Sequence, residues 1–158
     1  MSYIDRTREF YLAQGYEKPY RWAHFEEVPF VRLPKPLAEC RLTLVTTASP
    51  HHDRPALDGV LRGSKAVWSG PMASPPERLY TDDLAWDKQA THTRDVESFL
   101  PIAGLQSFAT EGRIRELAQR FHGAPTDYSQ RRTTEEDAPE IVRRCREDGV
   151  DAALLVPL

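Results

Sequence analysis

The stretch "CRLTLVTTAS", residues 40–49, decides the fold class. Leu42, Leu44 and Val45, set among the β-branched Thr43, Thr46 and Thr47, form a nearly unbroken run of the kind found in strands covered on both faces. Strands of that kind belong to parallel sheets, whose crossovers need helices on the faces. The chain after residue 49 is therefore expected to alternate helices with further strands.

Two stretches meet that expectation. "TTEEDAPEIVRRCREDG", residues 133–149, reads as the best helix in the chain. Thr134 and Asp137 have capping-box spacing, Pro139 sits in the first turn, Ala138, Ile141, Val142 and Cys145 share a face, and Gly149 is the stop. "VDAALLVP", residues 150–157, then returns as a buried strand. Between these and the first strand, "DVESFLPIAGLQSFATEG" predicts a helix around Ile102–Glu111. Its inward residues are Ile102, Leu105 and Phe108 or Ala109, with Gly112 closing it and Asp95 upstream as a candidate cap. "RIRELAQRF", residues 113–121, is ambiguous, and the spacing of Ile114, Leu117, Ala118 and Phe121 favours a helix. A short strand is expected near Ala66–Trp68 and a weaker one in "RLYTDDLAW", residues 78–86. The fold class that results is α/β: three-layer, Rossmann-like, with a mainly parallel sheet and an incomplete C-terminal end.

Outward from the strand on the N-terminal side, Tyr3–Gln14 predicts a helix with Ile4, Thr7, Phe10 and Tyr11 on one side and Gly15 as its left-handed stop. The segment 16–39 contains Pro19, Pro29, Pro34 and Pro36, which exclude a long helix. Its Tyr20, Trp22, Phe25 and Phe30 are expected to anchor an extended arm. Residues 1–158 are expected to form a single α/β domain, with 1–39 as helix plus arm.

Composition narrows the function. Twenty-one Lys+Arg against 24 Asp+Glu give a formal charge of −3, with no like-charge block to serve nucleic acid or a membrane. No apolar run reaches membrane-spanning length, and the amphipathic start "MSYIDRTREFYLAQ" lacks a signal-peptide core, so a cytoplasmic location is expected. Cys40 and Cys145, the two cysteines, show neither disulfide nor zinc spacing and read as small core residues. No metal site is expected.

Ligands of open parallel sheets bind beyond the carboxyl ends of the strands. "TTASPHHD", residues 46–53, places the hydroxyls of Thr46, Thr47 and Ser49, the imidazoles of His51 and His52 and the carboxylate of Asp53 there. These suit a small anion or a general base, although exposed loop decoration accounts for the run equally simply. "DLAWDKQATHTRDVESFLP", residues 83–101, with Asp82 just before it, gathers Asp82, Asp83, Asp87, His92 and Asp95 around Trp86. An Asp beside a His can orient the imidazole, while capping by Asp95 and solvated carboxylates are the plain alternative. No phosphate loop, nucleophile elbow or His-Glu-x-x-His occurs.

Taken together, "LAECRLTLVTTASPHH", "DLAWDKQATHTRDVESFLPIAGL" and the run from Glu111 to Leu158 resemble the selenoprotein B family of the glycine, sarcosine, betaine and D-proline reductases. The resemblance extends from about Tyr20 to Leu158. It implies reductive C–N bond cleavage in a small amino-acid or betaine-like substrate. In that family the strand matching "GVDAALLVP" runs into a selenocysteine-x-x-cysteine segment, so a UGA codon is expected after Leu158 and selenocysteine in the full-length protein; no cofactor is expected in this chain. An uncovered strand at Leu154 and Leu155 should then promote self-association. Relatives acting on glycine or proline also use a pyruvoyl group from a separate or processed subunit, and no cleavage site for one is marked here.

By the same resemblance His92 and Asp95 are the expected catalytic residues. Thr46, Thr47, His51 and Asp87 are expected to bind substrate, with Arg131 and Arg132 as carboxylate binders. The expected partners are a small-molecule substrate and either a second copy or reductase-complex subunits. Two other readings stand beside it: a selenol or thiol redox enzyme with another substrate, and a non-enzymatic α/β ligand-binding domain.

Overall fold

The structure, a computed structural model, describes residues 2–18, 24–50, 66–80, 93–126 and 129–157. The chain divides into two compact units, Met1–Val31 and Arg32–Leu158. In the first, α1 (Ser2–Ala13) ends one residue before the expected Gln14, and Gly15 takes the left-handed stop at φ 86°. Tyr11 makes edge-on ring contacts with Phe10 and Tyr16. Phe25 and Phe30, expected as buried anchors, are instead exposed, at 66% and 85%. Tyr20 and Trp22 lie outside the described residues.

The second unit is mixed α/β around an open, mostly parallel five-stranded sheet. Its centre is β1 (Arg41–Thr46), the stretch on which the fold turns, and five of its six residues are buried. Parallel to β1 run β3 (Glu116–Leu117), β4 (Arg120–Gly123) and β5 (Ala152–Val156), while β2 (Trp68–Pro71) closes on β4 in the antiparallel sense. The helices are α2 (Ile102–Thr110), α3 (Gln130–Arg132) and α4 (Ala138–Glu147), with a π-helical stretch at Thr133–Asp137 joining the last two. Among the described residues no helix is long and apolar enough to cross a membrane.

The helix expected from "RIRELAQRF" is a pair of strands. Apolar residues at 114, 117, 118 and 121 fit a helical face, but pairing with the exposed edge of β1 prevails: Arg115 N donates to Cys40 O and Ala118 N to Leu42 O. Between the pairs Leu42–Leu117 and Val45–His122, β1 advances three residues and its partner five. β3 and β4 are thus one strand interrupted by a wide bulge, which restores Phe121 to the apolar side.

The core follows from alternation along the strands. Leu42 and Leu44 of β1 join Phe99, Leu100, Ile102, Leu105, Ile114 and Phe121 in one apolar cluster around α2. α2 begins where expected but is not capped by Asp95. That residue precedes a 3₁₀ turn at Val96–Ser98 and makes no capping bond, whereas Glu97 accepts from Ala103 N and Gly104 N. Gly112, at φ 71°, closes the segment as expected.

Two further expectations are corrected. Helix entry is capped by Ser129, which accepts from Arg132 N; Thr134 is already inside the helix, bonding back to Gln130 O. β5 reads as a buried strand from its apolar run, yet Leu154 and Leu155 are 42% and 70% exposed, the uncovered strand that the resemblance implies. β5 pairs with β1 alone among the described strands, so it forms the sheet edge and one flank lacks cover.

Candidate functional site

The two ends of the sheet differ in charge. At the amino ends of the strands the charges are paired: Arg41 with Glu116, Arg120 with Asp148 and Glu147, and Lys35 with Asp151. Hydrogen bonds from Arg41 and Arg115 lower the Glu116 pKa, and the Lys35 side chain, followed by the Arg41 backbone N–H, does the same for Asp151. These carboxylates remain ionised and occupied.

The carboxyl ends carry the candidate site. β1 ends at Thr46, which is wholly buried; its hydroxyl accepts from Ala48 N at 3.2 Å and its carbonyl from Ala124 N at 2.8 Å. Thr46 therefore shapes the turn after the strand, and the half-buried Thr47 follows it toward solvent. Beyond the turn, Ser49 and Tyr80 exchange backbone hydrogen bonds, Ser49 N to Tyr80 O at 2.7 Å and Tyr80 N to Ser49 O at 2.8 Å. This bridge fixes the segment 77–80 to the strand end, where a recess of about 470 Å³ is lined by Glu77, Arg78, Leu79, Tyr80, Thr93 and Arg94. Tyr80 is the one described part of the strand expected in "RLYTDDLAW" that pairs.

A second polar cluster joins α4 to the sheet. Arg144 Nη1 donates to Ser69 Oγ at 2.8 Å, and that oxygen lies 2.9 Å from His122 Nδ1. Arg144 Nη2 donates to Val67 O, and Nε binds Glu140. Hydrogen bonds from Arg143 and Arg144 hold Glu140 at a pKa of about 2. His122 is fully buried, and burial first, then the Arg120 and Arg144 cations, lowers its pKa, so the imidazole is neutral near pH 7. Among the described residues its Nε2 has no hydrogen-bond partner. Because the ring is closed to solvent, the cluster acts as a polar clamp between helix and sheet and not as a base for a diffusing substrate. Cys145 on the same helix is half-buried, and burial, with Asp148 nearby, raises its thiol pKa, which leaves it protonated.

Of the residues singled out from sequence, the structure brings Thr46 and Thr47 together at the end of β1. Asp95 is exposed, its main-chain oxygen accepting from Ser98 Oγ at 2.6 Å. Arg131 and Arg132 each have a carboxylate partner one helical turn on, Glu135 at 2.9 Å and Glu136 at 3.5 Å. His51, Asp87 and His92 lie outside the described residues. Among the described residues no group of three His, Cys, Asp or Glu side chains is placed to hold a metal ion.

Ser69, His122 and Arg144 were missed by sequence reasoning because their link spans distant segments, and reading 113–121 as a helix left His122 without a strand. The recess residues Arg78, Tyr80 and Arg94 were missed for the same reason: only the Ser49–Tyr80 bridge shows where they sit.

No family model matches the chain, and no solved structure matches it. D-proline reductase subunit gamma of Acetoanaerobium sticklandii is 40% identical to it over 65 residues, a span covering 39% of this chain and 26% of that subunit. The match thus takes in about a quarter of the relative's length. It supports a distant relationship to a reductase family over the part that aligns.

Proposed function

We propose that this chain forms the amino-terminal portion of a reductase of the selenoprotein B type, cleaving a C–N bond reductively in a small amino-acid or betaine-like substrate. The observation that carries this reading is the 40% identity to D-proline reductase subunit gamma. In this reading the scaffold is a three-layer, Rossmann-like domain. The neighbouring residues Leu44 and Val45 support it, one packing among the α2 residues and the other lining a groove with α4 residues.

The resemblance implies a selenocysteine-x-x-cysteine segment following the strand that forms β5. A selenol there would supply the nucleophile and, with the neighbouring thiol, the electron pair for the cleavage. The local geometry suits it. β5 runs parallel to β1, with Val156 paired to Thr46, so chain leaving β5 emerges beside the β1 turn and Thr47. Thr47 would orient the substrate by its hydroxyl, and Thr46 would hold the turn that presents it. His92 and Asp95 serve in this reading as the proton-handling residues, with His51 and Asp87 on the substrate and Arg131 and Arg132 toward its carboxylate. Reductase-complex subunits or a second copy would complete the assembly.

Sequencing past the Leu158 codon and assaying the selenocysteine-containing product test this reading. UGA followed by an open frame, with reductive ring opening of D-proline or release of ammonia, methylamine or trimethylamine from glycine, sarcosine or betaine, is the expected result. A different codon, or a product that turns over hydroperoxides and none of these amines, would overturn it.

A further inference from the structure

We propose that the free edge of β5 is the interface of a symmetric homodimer, in which β5 pairs antiparallel with β5 of a second copy about a two-fold axis at Leu154. Main-chain direction is the first support. Ala118 N donates to Leu42 O and Ala124 N to Thr46 O, so the even-numbered residues of β1 face β3 and β4. Arg41 turns both its N–H and its carbonyl to Asp151, on the other side, where the odd-numbered residues face β5. With Leu42 opposite Ala152 and Leu44 opposite Leu154, the ladder takes up the main-chain groups of Ala152, Leu154 and Val156. Those of Ala153 and Leu155 point away from β1, and no other described strand pairs there.

Self-complementarity is the second support. Antiparallel pairing centred on Leu154 sets Ala153 opposite Leu155 of the copy and Leu155 opposite its Ala153. The outward N–H and C=O groups of the two strands then satisfy one another. The side chains agree with that register. Ala153 and Leu155 line the groove beside α4, so the small residue of one strand faces the large residue of the other. Leu155, 70% exposed, and Leu154, 42% exposed, both gain cover. Ala152–Val156 carries neither charge nor proline, the devices that keep an edge unpaired.

Charge favours a second copy over an unrelated strand. The two-fold axis stands across the sheet, which keeps both α4 helices on one face and sets them antiparallel. Glu135, Glu136 and Glu140, around the entry to α4, then lie toward the basic end of the copy's helix, where Arg144 and Arg146 stand. Arg146 lines the groove, is exposed and has no side-chain partner among the described residues, so its charge is available to that acidic end.

The dimer does not depend on the reductase reading. Sedimentation of the 158-residue chain should show a monomer–dimer equilibrium with a Kd of about 1–100 µM, because a short strand interface lies at the small end of the size range. Leu155→Lys should raise that Kd at least about tenfold, and because Leu155 is exposed the variant should melt as the dissociated parent chain does. Ala153→Pro removes an outward N–H, leaves the ladder to β1 whole and should weaken the dimer at least as much. Register has its own test. On oxidation Leu154→Cys should cross-link to its own copy through residue 154, as read by peptide mapping, whereas Val156→Cys, set opposite Ala152, should not. A chain that is monomeric at about 500 µM, a dimer that neither Leu155→Lys nor Ala153→Pro weakens, or cross-linking at 156 in place of 154 would overturn the proposal. A codon other than UGA after Leu158 would refute the reductase reading and leave the dimer standing.

Discussion

The surroundings of α2 and of α4 solve the same problem, attaching a helix to one sheet, by opposite means. Around α2 the contacts are apolar: Ile102 and Leu105 reach Leu42, Leu44, Phe99 and Phe121, nearly all of them excluded from solvent. Around α4 no helical residue is buried, and Val142 is 45% exposed. There a groove of about 450 Å³ is lined by Val45, Ile141, Cys145, Ala153 and Leu155, and the ties to the sheet are polar, Arg144 on Ser69 and Val67 and Arg120 on Glu147. Apolar packing tolerates no gap, whereas a charged clamp holds at one point and leaves space beside it. The α2 side should therefore dominate stability and the α4 side should respond to pH and salt.

The largest expected effect breaks the apolar side. Phe121 is fully buried, its ring meeting Trp68 edge-on with centroids 5.3 Å apart. Phe121→Ala should cost about 3–5 kcal/mol in a denaturant titration, from lost contact plus the cavity left behind. Next comes Gly123, where β4 passes Trp68 so closely that a Cβ would overlap the indole ring. Gly123→Ala should cost about 1–3 kcal/mol by overpacking. A loss under half of that in both variants would mean that this cluster does not carry the fold.

The same contrast governs how far the sequence could be read. The continuous apolar run of β1, the face of Ile102 and Leu105 and the stops at Gly112 and Gly149 are local patterns, and each stands where its spacing placed it. Residues 113–121 fit a helical period equally well, and only the open edge of β1, a tertiary fact, turned them into strands. α4 shows the limit from the other side. Its helical spacing is correct and Ala138, Ile141, Val142 and Cys145 share a face, but none of them is buried, and side-chain bonds such as that of Arg144 hold the helix. For the candidate site, the loop after β1 was readable from the rule that places ligands at strand ends. The clamp and the recess depend on pairings across distant segments, which no periodicity encodes.

On the polar side the expected effects are smaller. Arg144→Ala removes the donors to Ser69 and Val67 and should cost about 1–2 kcal/mol, measured in the same denaturant titration. A loss equal to that of Phe121→Ala would erase the distinction between the two sides. His122 adds a pH dependence whose sign follows from burial. Its folded pKa lies below the ordinary value of 6.5, so the unfolded chain takes up the proton first. The stability tied to its neutral form is complete above pH 6.5 and is lost as pH falls from there through the folded pKa. Melting temperatures across that window should fall with acidification, and His122→Gln should flatten the slope.

The smallest effect belongs to the outer surface of α4, where Arg143 pairs with Glu140 and Glu147. Both sides of these pairs are about one-third or more open to water, so attraction between them is screened and offset by the ordering of long side chains. Glu140 also holds Arg144, which makes the two partners unequal. Arg143→Gln leaves the clamp intact and should shift the unfolding midpoint less than Glu140→Gln, which loosens the Arg144 side chain that reaches Ser69. In about 1 M salt, where the Debye length is about 3 Å, the Arg143 effect should vanish, while part of the Glu140 effect persists through the partly buried Arg144. If the two variants fade together with salt, Glu140 acts only as a surface charge and the clamp begins at Arg144 itself.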